Sequence, residues 1–162
     1  MVRWVGEVGY AYLMRILSIS TGFSFAVSLV LDLAAGVLLT SSIPLLGNFL
    51  TLTLSRNTGV AFGVRLPSPW QELIIFCALI GVTTIAIRSK CDRMQKDAHA
   101  VGFGIIIGGA LANLVDRLIH GYVTDFIAVG TFPIFIVADA CISIGAGMLI
   151  LENLKKKSIL SA

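Results

Sequence analysis

Two acidic residues near the end of the sequence, Asp125 and Asp139, could together hydrolyse a peptide bond. Two carboxyl groups held close to each other share one proton, because both cannot easily be ionised at once. One of them then acts as the general base on a water molecule, while the other donates a proton to the carbonyl oxygen of the substrate. The shared proton belongs to the pair rather than to either residue.

Other hydrolytic chemistries lack the residues that they need. His99 and His120 lie at opposite ends of one apolar stretch, too far apart to bind one metal ion, and neither an HExxH motif nor a metal-binding pair of cysteines occurs. A GxSxG motif is absent as well. A Ser–Lys pair is excluded because the charge distribution predicts that every lysine lies on the cytoplasmic side of a membrane, opposite to the two acids. We therefore expect no metal site and no serine nucleophile.

The composition predicts that the elements holding these residues lie in a membrane. Hydrophobic residues make up 57% of the chain and charged residues only 13%, which leaves too few polar side chains to cover a water-exposed globule. Four apolar stretches lie at about residues 16–39, 70–87, 98–119 and 132–151. Each can cross ~30 Å of hydrocarbon as a helix at about 1.5 Å per residue. We predict a single membrane domain over residues 1–162.

The basic residues predict the orientation of the four spans. Nine of the twelve Lys and Arg residues lie in the N-terminal tail, in the connection between spans two and three, and in the C-terminal tail. These nine are Arg3, Arg15, Arg88, Lys90, Arg93, Lys96, Lys155, Lys156 and Lys157. Because Lys and Arg accumulate on the cytoplasmic side, both termini should be cytoplasmic. No basic patch interleaved with aromatic residues occurs, so we expect no nucleic-acid partner.

The two outer connections contain strand-like sequence. In the long connection 40–69, leucine alternates with threonine or serine over residues 50–55, a period of two that is typical of a strand with one apolar face. Residues 57–59 have turn-forming composition, and residues 60–64 could return as a second short strand. Residues 123–127, in the other outer connection, are also strand-like. Together the patterns predict an all-α membrane protein, a four-transmembrane-helix bundle with a small β platform on its outer face.

Five polar residues cluster at one depth of this predicted bundle. Asp32 and Asp139 lie ~10 Å from the outer ends of their spans, and Asn113 lies ~9 Å from the outer end of span three, at 1.5 Å per residue. Arg117 ends that span, and Asp125 stands in the outer connection before span four. Ionisable groups at membrane depth are costly and mark functional sites. The clustering therefore predicts a site in the outer third of the membrane.

The cluster has two simpler explanations. The polar groups could merely link helices by hydrogen bonds, but such contacts contribute only about 0.6 kcal/mol each, less than two poorly hydrated carboxylates cost. A small transporter would need polar groups through the inner half of the spans, and the inner two-thirds carry no charge.

Two other local patterns have structural interpretations. The spacing of Gly104 and Gly108, with Gly109 next to them, predicts close packing between helices. Asp116 and Arg117 are adjacent at the end of span three, where a local ion pair is the simplest expectation.

Four segments in order resemble the motifs of the lipoprotein signal peptidases, also called signal peptidase II. They are Asn-Thr-Gly-Val-Ala-Phe at 57–62, Gly-Ala-Leu-Ala-Asn-Leu-Val-Asp-Arg at 109–117, Val-Thr-Asp-Phe at 123–126 and Phe-Ile-Val-Ala-Asp at 135–139. Each segment alone is a weak signal, but their order, their spacing and the four-span layout match over roughly residues 25–152.

The resemblance implies cofactor-free cleavage of bacterial prolipoproteins just before a diacylglyceryl-modified cysteine. It implies a multi-pass protein of the bacterial inner membrane whose site lies near the outer leaflet. Its partners would be lipidated precursor lipoproteins and the phospholipid bilayer. Independently of the resemblance, we expect a monomer. Asp125 and Asp139 would be the catalytic pair. The residues that would bind substrate or support the site are Asp32, Asn57, Ala61, Asn113 and Arg117.

Two positions depart from the family pattern. Gly36 stands where the family usually has a Lys, four residues after the Asp of its first span, so Asp32 lacks an ion partner one turn away. Ile136 stands where the family usually has an Asn, three residues before its second catalytic Asp. These departures leave an alternative open, a catalytically silent relative that binds lipopeptides in the membrane.

Overall fold

The computed structural model describes residues 2–59, 66–67, 69–89 and 96–160. It contains four helices and three strands. The helices are α1 (Val2–Leu38), α2 (Trp70–Arg88), α3 (Lys96–His120) and α4 (Val137–Leu160), and the strands are β1 (Ile43–Leu46), β2 (Leu50–Asn57) and β3 (Val123–Val129).

The four predicted spans are confirmed. Each helix contains a segment long and apolar enough to cross a membrane, namely Gly9–Leu38, Trp70–Arg88, Asp97–His120 and Val137–Lys155. Half of the span in α3 is buried inside the protein, against 11–17% of the other three. Helix α3 is therefore the centre of the bundle, and it packs against α1, α2 and α4.

Glycines allow the central helix to approach its neighbours, as their spacing predicted. A Cβ atom on Gly108 would lie 2.5 Å from the carbonyl oxygen of Thr21 in α1, and one on Gly109 would lie 2.6 Å from the carbonyl oxygen of Ala138 in α4. Both distances are shorter than any real carbon–oxygen contact at a Cβ. Only glycine permits this backbone approach, which is a common way to pack helices in lipid, where hydrophobic attraction between helices is absent.

The three strands form one antiparallel sheet in the order β1–β2–β3. Strands β2 and β3 confirm the predicted strand-like runs, whereas β1 was not predicted. Since α1 leads into this sheet and α3 is joined to α4 through it, the last turns of α1 and α3 and the first turn of α4 converge there. We call this the sheet end of the bundle. The predicted return strand at residues 60–64 lies outside the described residues.

Two helix boundaries differ from the prediction. Helix α1 begins at Val2 rather than at residue 16, and α4 begins at Val137 rather than at residue 132.

The residues before α4 pair with β3, because Phe135 exchanges backbone hydrogen bonds with Ile127, at 3.0 and 2.9 Å. Gly130, at φ +53°, makes the turn between them. Apolar content alone does not distinguish these strand-paired residues from a first helical turn.

A hydrophobic cluster joins the sheet to the bundle. Its buried residues come from α1, α3, β3 and the segment that leads into α4, and they are Ala35, Leu39, Ala112, Val123, Phe126, Ile136 and Ala138. This cluster holds β3 and the first turn of α4 against each other, which positions the two acidic residues that those elements carry.

Candidate active site

Asp125 lies on β3 and is held by Asn57 on β2. In the register of the two strands Asn57 stands opposite Val123 and Ser55 opposite Asp125, so Asn57 and Asp125 are diagonal neighbours on one face. The Asn57 Nδ2 donates to Asp125 Oδ2 at 2.9 Å, and the Asn57 Oδ1 accepts from the Gly59 amide at 2.9 Å. The turn after β2 thus orients the amide that holds the first acid.

Asp125 is only 3% exposed, and its environment changes its pKa. Burial raises the pKa of the Asp125 carboxyl to about 6, the hydrogen bond from Asn57 acts in the opposite direction, and the charge of Asp139 adds to the rise. Among the described residues no donor reaches Asp125 Oδ1. One oxygen of this carboxyl is therefore fixed by an amide, and the other has no protein donor in that part of the chain.

Asp139 lies in the first turn of α4, and Asn113 holds it from α3. The Asn113 Nδ2 donates to Asp139 Oδ1 at 2.8 Å. Because α4 begins at Val137, Asp139 lies in the first turn of the helix instead of ~10 Å from its start. The terminus also places the partial positive charge of the helix beside the carboxyl group. Each acid is thus held by a separate asparagine, from a separate element.

Arg117 is buried at the same end and ties the turn after β2 to α3. Its Nη2 donates to the carbonyl oxygen of Gly59 at 2.7 Å and its Nη1 to that of Asn113 at 3.0 Å. The predicted ion pair with Asp116 is wrong, because the Asp116 carboxylate instead accepts from the Thr124 amide and from His120. Arg117 links, through its backbone contacts, the two segments that carry Asn57 and Asn113.

Asp32 faces the same region from α1 but is not hydrogen-bonded to the other predicted site residues. Both of its carboxylate oxygens are buried and have no partner among the described residues. Its charge interacts with those of Asp116, Asp139 and Asp125. Asp32 thus adds to the charge at the site, while Ala61, the remaining predicted site residue, lies outside the described residues.

The two departures from the family pattern have different structural settings. Ile136 is fully buried in the hydrophobic cluster that joins the sheet to the bundle, so its side chain packs there and provides no side-chain amide. Gly36 is bordered by open space, and a Cβ there would meet nothing within 4 Å.

One acidic residue of this region was missed by the sequence analysis. Glu72, in the first turn of α2, has a buried Oε2 without a partner among the described residues, and its charge acts on Arg117. The sequence carried the signal, since Glu72 is an ionisable residue two positions after the predicted start of span two.

The site is an arrangement of carboxyl groups, two asparagines and one guanidinium. Within residues 2–59, 66–67, 69–89 and 96–160, no three His, Cys, Asp or Glu side chains converge as metal ligands would. Two acids with unequal surroundings, one buried on a strand and one at a helix terminus, are suited to the division of acid and base roles that hydrolysis by a carboxyl pair needs.

Comparisons with known proteins identify relatives of this chain. The chain is 41% identical over 118 residues to the lipoprotein signal peptidase of Caulobacter vibrioides, covering 70% of this chain and 68% of that protein. It is 34% identical over 154 residues to that of Actinobacillus succinogenes, covering 83% and 92%. A solved bacterial membrane enzyme superposes with a TM-score of 0.77 at 26% identity, covering 86% of this chain and 88% of that one.

The match extends over most of the bundle. The family model for signal peptidase (SPase) II matches residues 24–155, which include all four motifs, both asparagines and both acids described above. A match over most of the sequence, together with the same four-helix architecture, gives the conclusion that this chain belongs to the signal peptidase II family.

Proposed function

We propose that this chain removes signal peptides from bacterial prolipoproteins by hydrolysing the peptide bond before a diacylglyceryl-modified cysteine, with Asp125 and Asp139 as the catalytic pair. The observation that carries the proposal is that two acids from different elements are each held by an asparagine, Asn57 at 2.9 Å and Asn113 at 2.8 Å, at one end of the bundle. The family to which the chain belongs consists of membrane aspartyl proteases.

The chemistry follows from the properties of the pair. Burial raises the pKa of Asp125 to about 6, so the site keeps a proton at a higher pH than an exposed carboxyl would, and that proton belongs to the pair. The ionised member removes a proton from water as that water attacks the scissile carbonyl, and the protonated member donates to the carbonyl oxygen. Collapse of the tetrahedral intermediate then transfers a proton to the leaving amine. The water molecule supplies the hydroxyl of one product and the proton of the other.

The supporting residues orient this pair and the substrate backbone. Asn57 and Asn113 fix the two carboxyls, and Asn113 Oδ1 is buried without a partner among the described residues. Arg117 holds the turn after β2 in place through the Gly59 carbonyl. Ala61, which follows this turn in the sequence, is assigned a substrate-binding role from the family resemblance alone. Asp32 contributes negative charge from α1.

The membrane setting matches this substrate class. Four apolar helices make the chain a multi-pass membrane protein. We place it in the inner membrane with both termini in the cytoplasm and the sheet end near the outer leaflet. The reason is that nine of the twelve basic residues lie in the two terminal segments and in the connection between α2 and α3, away from the sheet. The acyl chains of a lipidated precursor then stay in the bilayer beside the bundle while its peptide reaches the acids. We propose that the enzyme acts as a monomer without a nucleic-acid partner.

The decisive experiment measures cleavage of a diacylglyceryl-cysteine precursor peptide by purified protein in lipid. Asp125→Asn and Asp139→Asn should each reduce kcat/KM by about 10²–10⁴-fold, the range of general acid–base catalysis. Asp97→Asn is the matched control, because Asp97 is an aspartate in the first turn of α3, at the opposite end of the bundle. Undiminished turnover in either of the first two variants would remove that residue from the pair.

The same assay separates the enzyme from a silent lipopeptide-binding relative. The reason to test for such a relative is Ile136, which has no side-chain amide at a position where the family usually has Asn. A silent relative would capture the precursor peptide, and cross-linking would detect the complex, yet no product would form on long incubation. Product formation that depends on both acids would exclude it.

A further inference from the structure

Asp116, which the proposed chemistry does not use, connects the central helix to the strand of the first acid. It is only 8% exposed, at the last turn of α3. Its Oδ2 accepts from the Thr124 backbone amide at 3.1 Å, and the His120 Nδ1 donates to its Oδ1 at 2.6 Å. The imidazole nitrogen must be the donor, because an ionised carboxylate can only accept.

The bond to Thr124 anchors β3 immediately before Asp125. The backbone nitrogen of Thr124 donates to a side chain of α3, so α3 holds the beginning of β3 directly. The residue after it in the chain carries the carboxyl group that the proposed reaction uses. A shift of this anchor would therefore move Asp125 with it.

The same helix holds the second acid. Asn113, which donates to Asp139, lies three residues before Asp116 on α3, and residues three apart in a helix are on neighbouring positions of one face. One turn of α3 thus holds Asp139 through Asn113 and holds Asp125 through Asp116 and Thr124. This turn of α3 therefore contributes to the placement of both acids.

We infer that Asp116, oriented by His120, is a positioning residue that sets the placement of Asp125 relative to Asp139. This inference rests on the proposed function, because it concerns the same pair of acids. Asp116 does not touch the reacting atoms and acts only through the Thr124 amide. His120 approaches Asp116 from the half-exposed side and keeps its carboxylate turned toward β3.

The first test compares the two histidines of α3. His120→Ala should lower kcat about tenfold, the factor that corresponds to a lost hydrogen bond of ordinary strength to a charged group, and leave KM unchanged. His120→Asn, which keeps a donor near the position of Nδ1, should recover most of this loss. His99→Ala is the matched control, because His99 makes an equivalent contact with Glu152, 2.8 Å long, roughly 30 Å along the same helix at 1.5 Å per residue. It should leave kcat unchanged.

A second test uses the charge of Asp116. Asp116→Asn retains an oxygen that can accept from the Thr124 amide but removes a negative charge that raises the pKa of Asp125. The other charged groups that act on the Asp125 carboxyl are Asp139 and Arg117, and its charge also interacts with Asp32. The acidic limb of the kcat profile should therefore move to lower pH in this variant. This shift reports the charge of Asp116 alone, because the retained oxygen still accepts from the Thr124 amide. Asp116→Ala removes this acceptor as well and should lower kcat at its pH optimum about tenfold relative to Asp116→Asn.

These outcomes are distinguishable from failure of the proposed function. If the unaltered protein forms no product, or if Asp125→Asn is as active as the unaltered protein, the proposed function fails. If the unaltered protein cleaves and needs Asp125, but His120→Ala and His99→Ala have equal kcat, the positioning role is overturned. Equal kcat at the pH optimum for Asp116→Ala and Asp116→Asn would overturn it as well.

Discussion

The pKa of Asp125 depends on the burial of its carboxyl group and on the hydrogen bond that Asn57 donates to it. A buried carboxyl on a strand would favour its neutral form, and the Asn57 amide opposes this by donating to Asp125 Oδ2. The balance leaves the pKa of Asp125 at about 6, close to the pH at which a carboxyl pair must exchange protons with water. A single side-chain hydrogen bond thus adjusts the protonation of the site.

Replacing Asn57 should change the pH dependence of cleavage in a defined direction. In Asn57→Ala burial acts on Asp125 without the opposing hydrogen bond, so its pKa rises above about 6. Because the reaction needs an ionised carboxylate, the acidic limb of the kcat profile should move to higher pH by about one unit, the size of one charged hydrogen bond. The measurement is kcat between pH 5 and 9.

Asn153→Ala supplies the control for this profile. Its Nδ2 donates to the Leu149 carbonyl at the far end of α4, so it removes an exposed amide without touching the site. A limb that stays in place in Asn57→Ala, or that moves equally in both variants, would contradict the role assigned to Asn57.

At the scale of the elements, α3 has two functions that depend on each other. Its glycines bring the backbones of α1 and α4 into contact with it, and its last turns carry Asn113, Asp116 and Arg117 to the sheet. The delayed start of α4 serves the same end, since the segment before Val137 pairs with β3 and keeps Asp139 beside the strand. Helix packing in the membrane therefore supports the geometry of the acids.

Adding one methyl group to the α1–α3 contact should destabilise the bundle. In Gly108→Ala the new Cβ would lie 2.5 Å from the Thr21 carbonyl, which is backbone and cannot rotate away, so the helices must separate. Overpacking of this kind costs about 1–3 kcal/mol. The expected result is a lower melting temperature in detergent micelles, followed by circular dichroism.

Gly147→Ala is the matched control for that experiment. Gly147 lies in α4, and its Cβ would meet nothing within 4 Å, so the substitution should be neutral or stabilise the helix by up to about 1 kcal/mol. Equal melting temperatures for the two variants would show that the close approach at Gly108 does not limit stability.

For the whole molecule, the sign and distribution of charge predict which side of the membrane the site faces. The sheet end carries the candidate acids, and the segments of the other side carry nine basic residues. Many large apolar side chains, such as Phe23, Val30, Leu33 and Ile150, are exposed on the helices, which is the surface expected of a bundle surrounded by lipid.

The native cysteine Cys91, in the basic connection between α2 and α3, reports the orientation directly. A membrane-impermeant maleimide should label Cys91 in inverted vesicles and leave it unlabelled in intact spheroplasts, because we place this connection in the cytoplasm. The protein for this measurement carries Cys77→Ala and Cys141→Ala, so that only one thiol remains, and a variant that also carries Cys91→Ser gives the background. Labelling in intact spheroplasts would reverse the proposed topology.

Much of the architecture could be predicted from the sequence because its signals are local. Four long apolar runs require four spans, and the alternation over residues 50–55 and the run 123–127 predicted β2 and β3. The ordered motifs were sufficient to predict the family. The predictions of the spans and strands depend only on composition or period within a short window. For the spans this is sufficient, because a helix in lipid must satisfy its own backbone hydrogen bonds.

Only the tertiary structure decided how the side chains at the sheet end are paired. The contacts from Asn57 to Asp125 and from Asn113 to Asp139 join residues 68 and 26 positions apart, and no local pattern specifies them. The adjacency of Asp116 and Arg117 predicted an ion pair that does not form, because successive residues of a helix point in different directions. Likewise, α4 starts at Val137 because the preceding segment pairs with β3. Register and packing, which are properties of the folded chain, determine which polar groups meet.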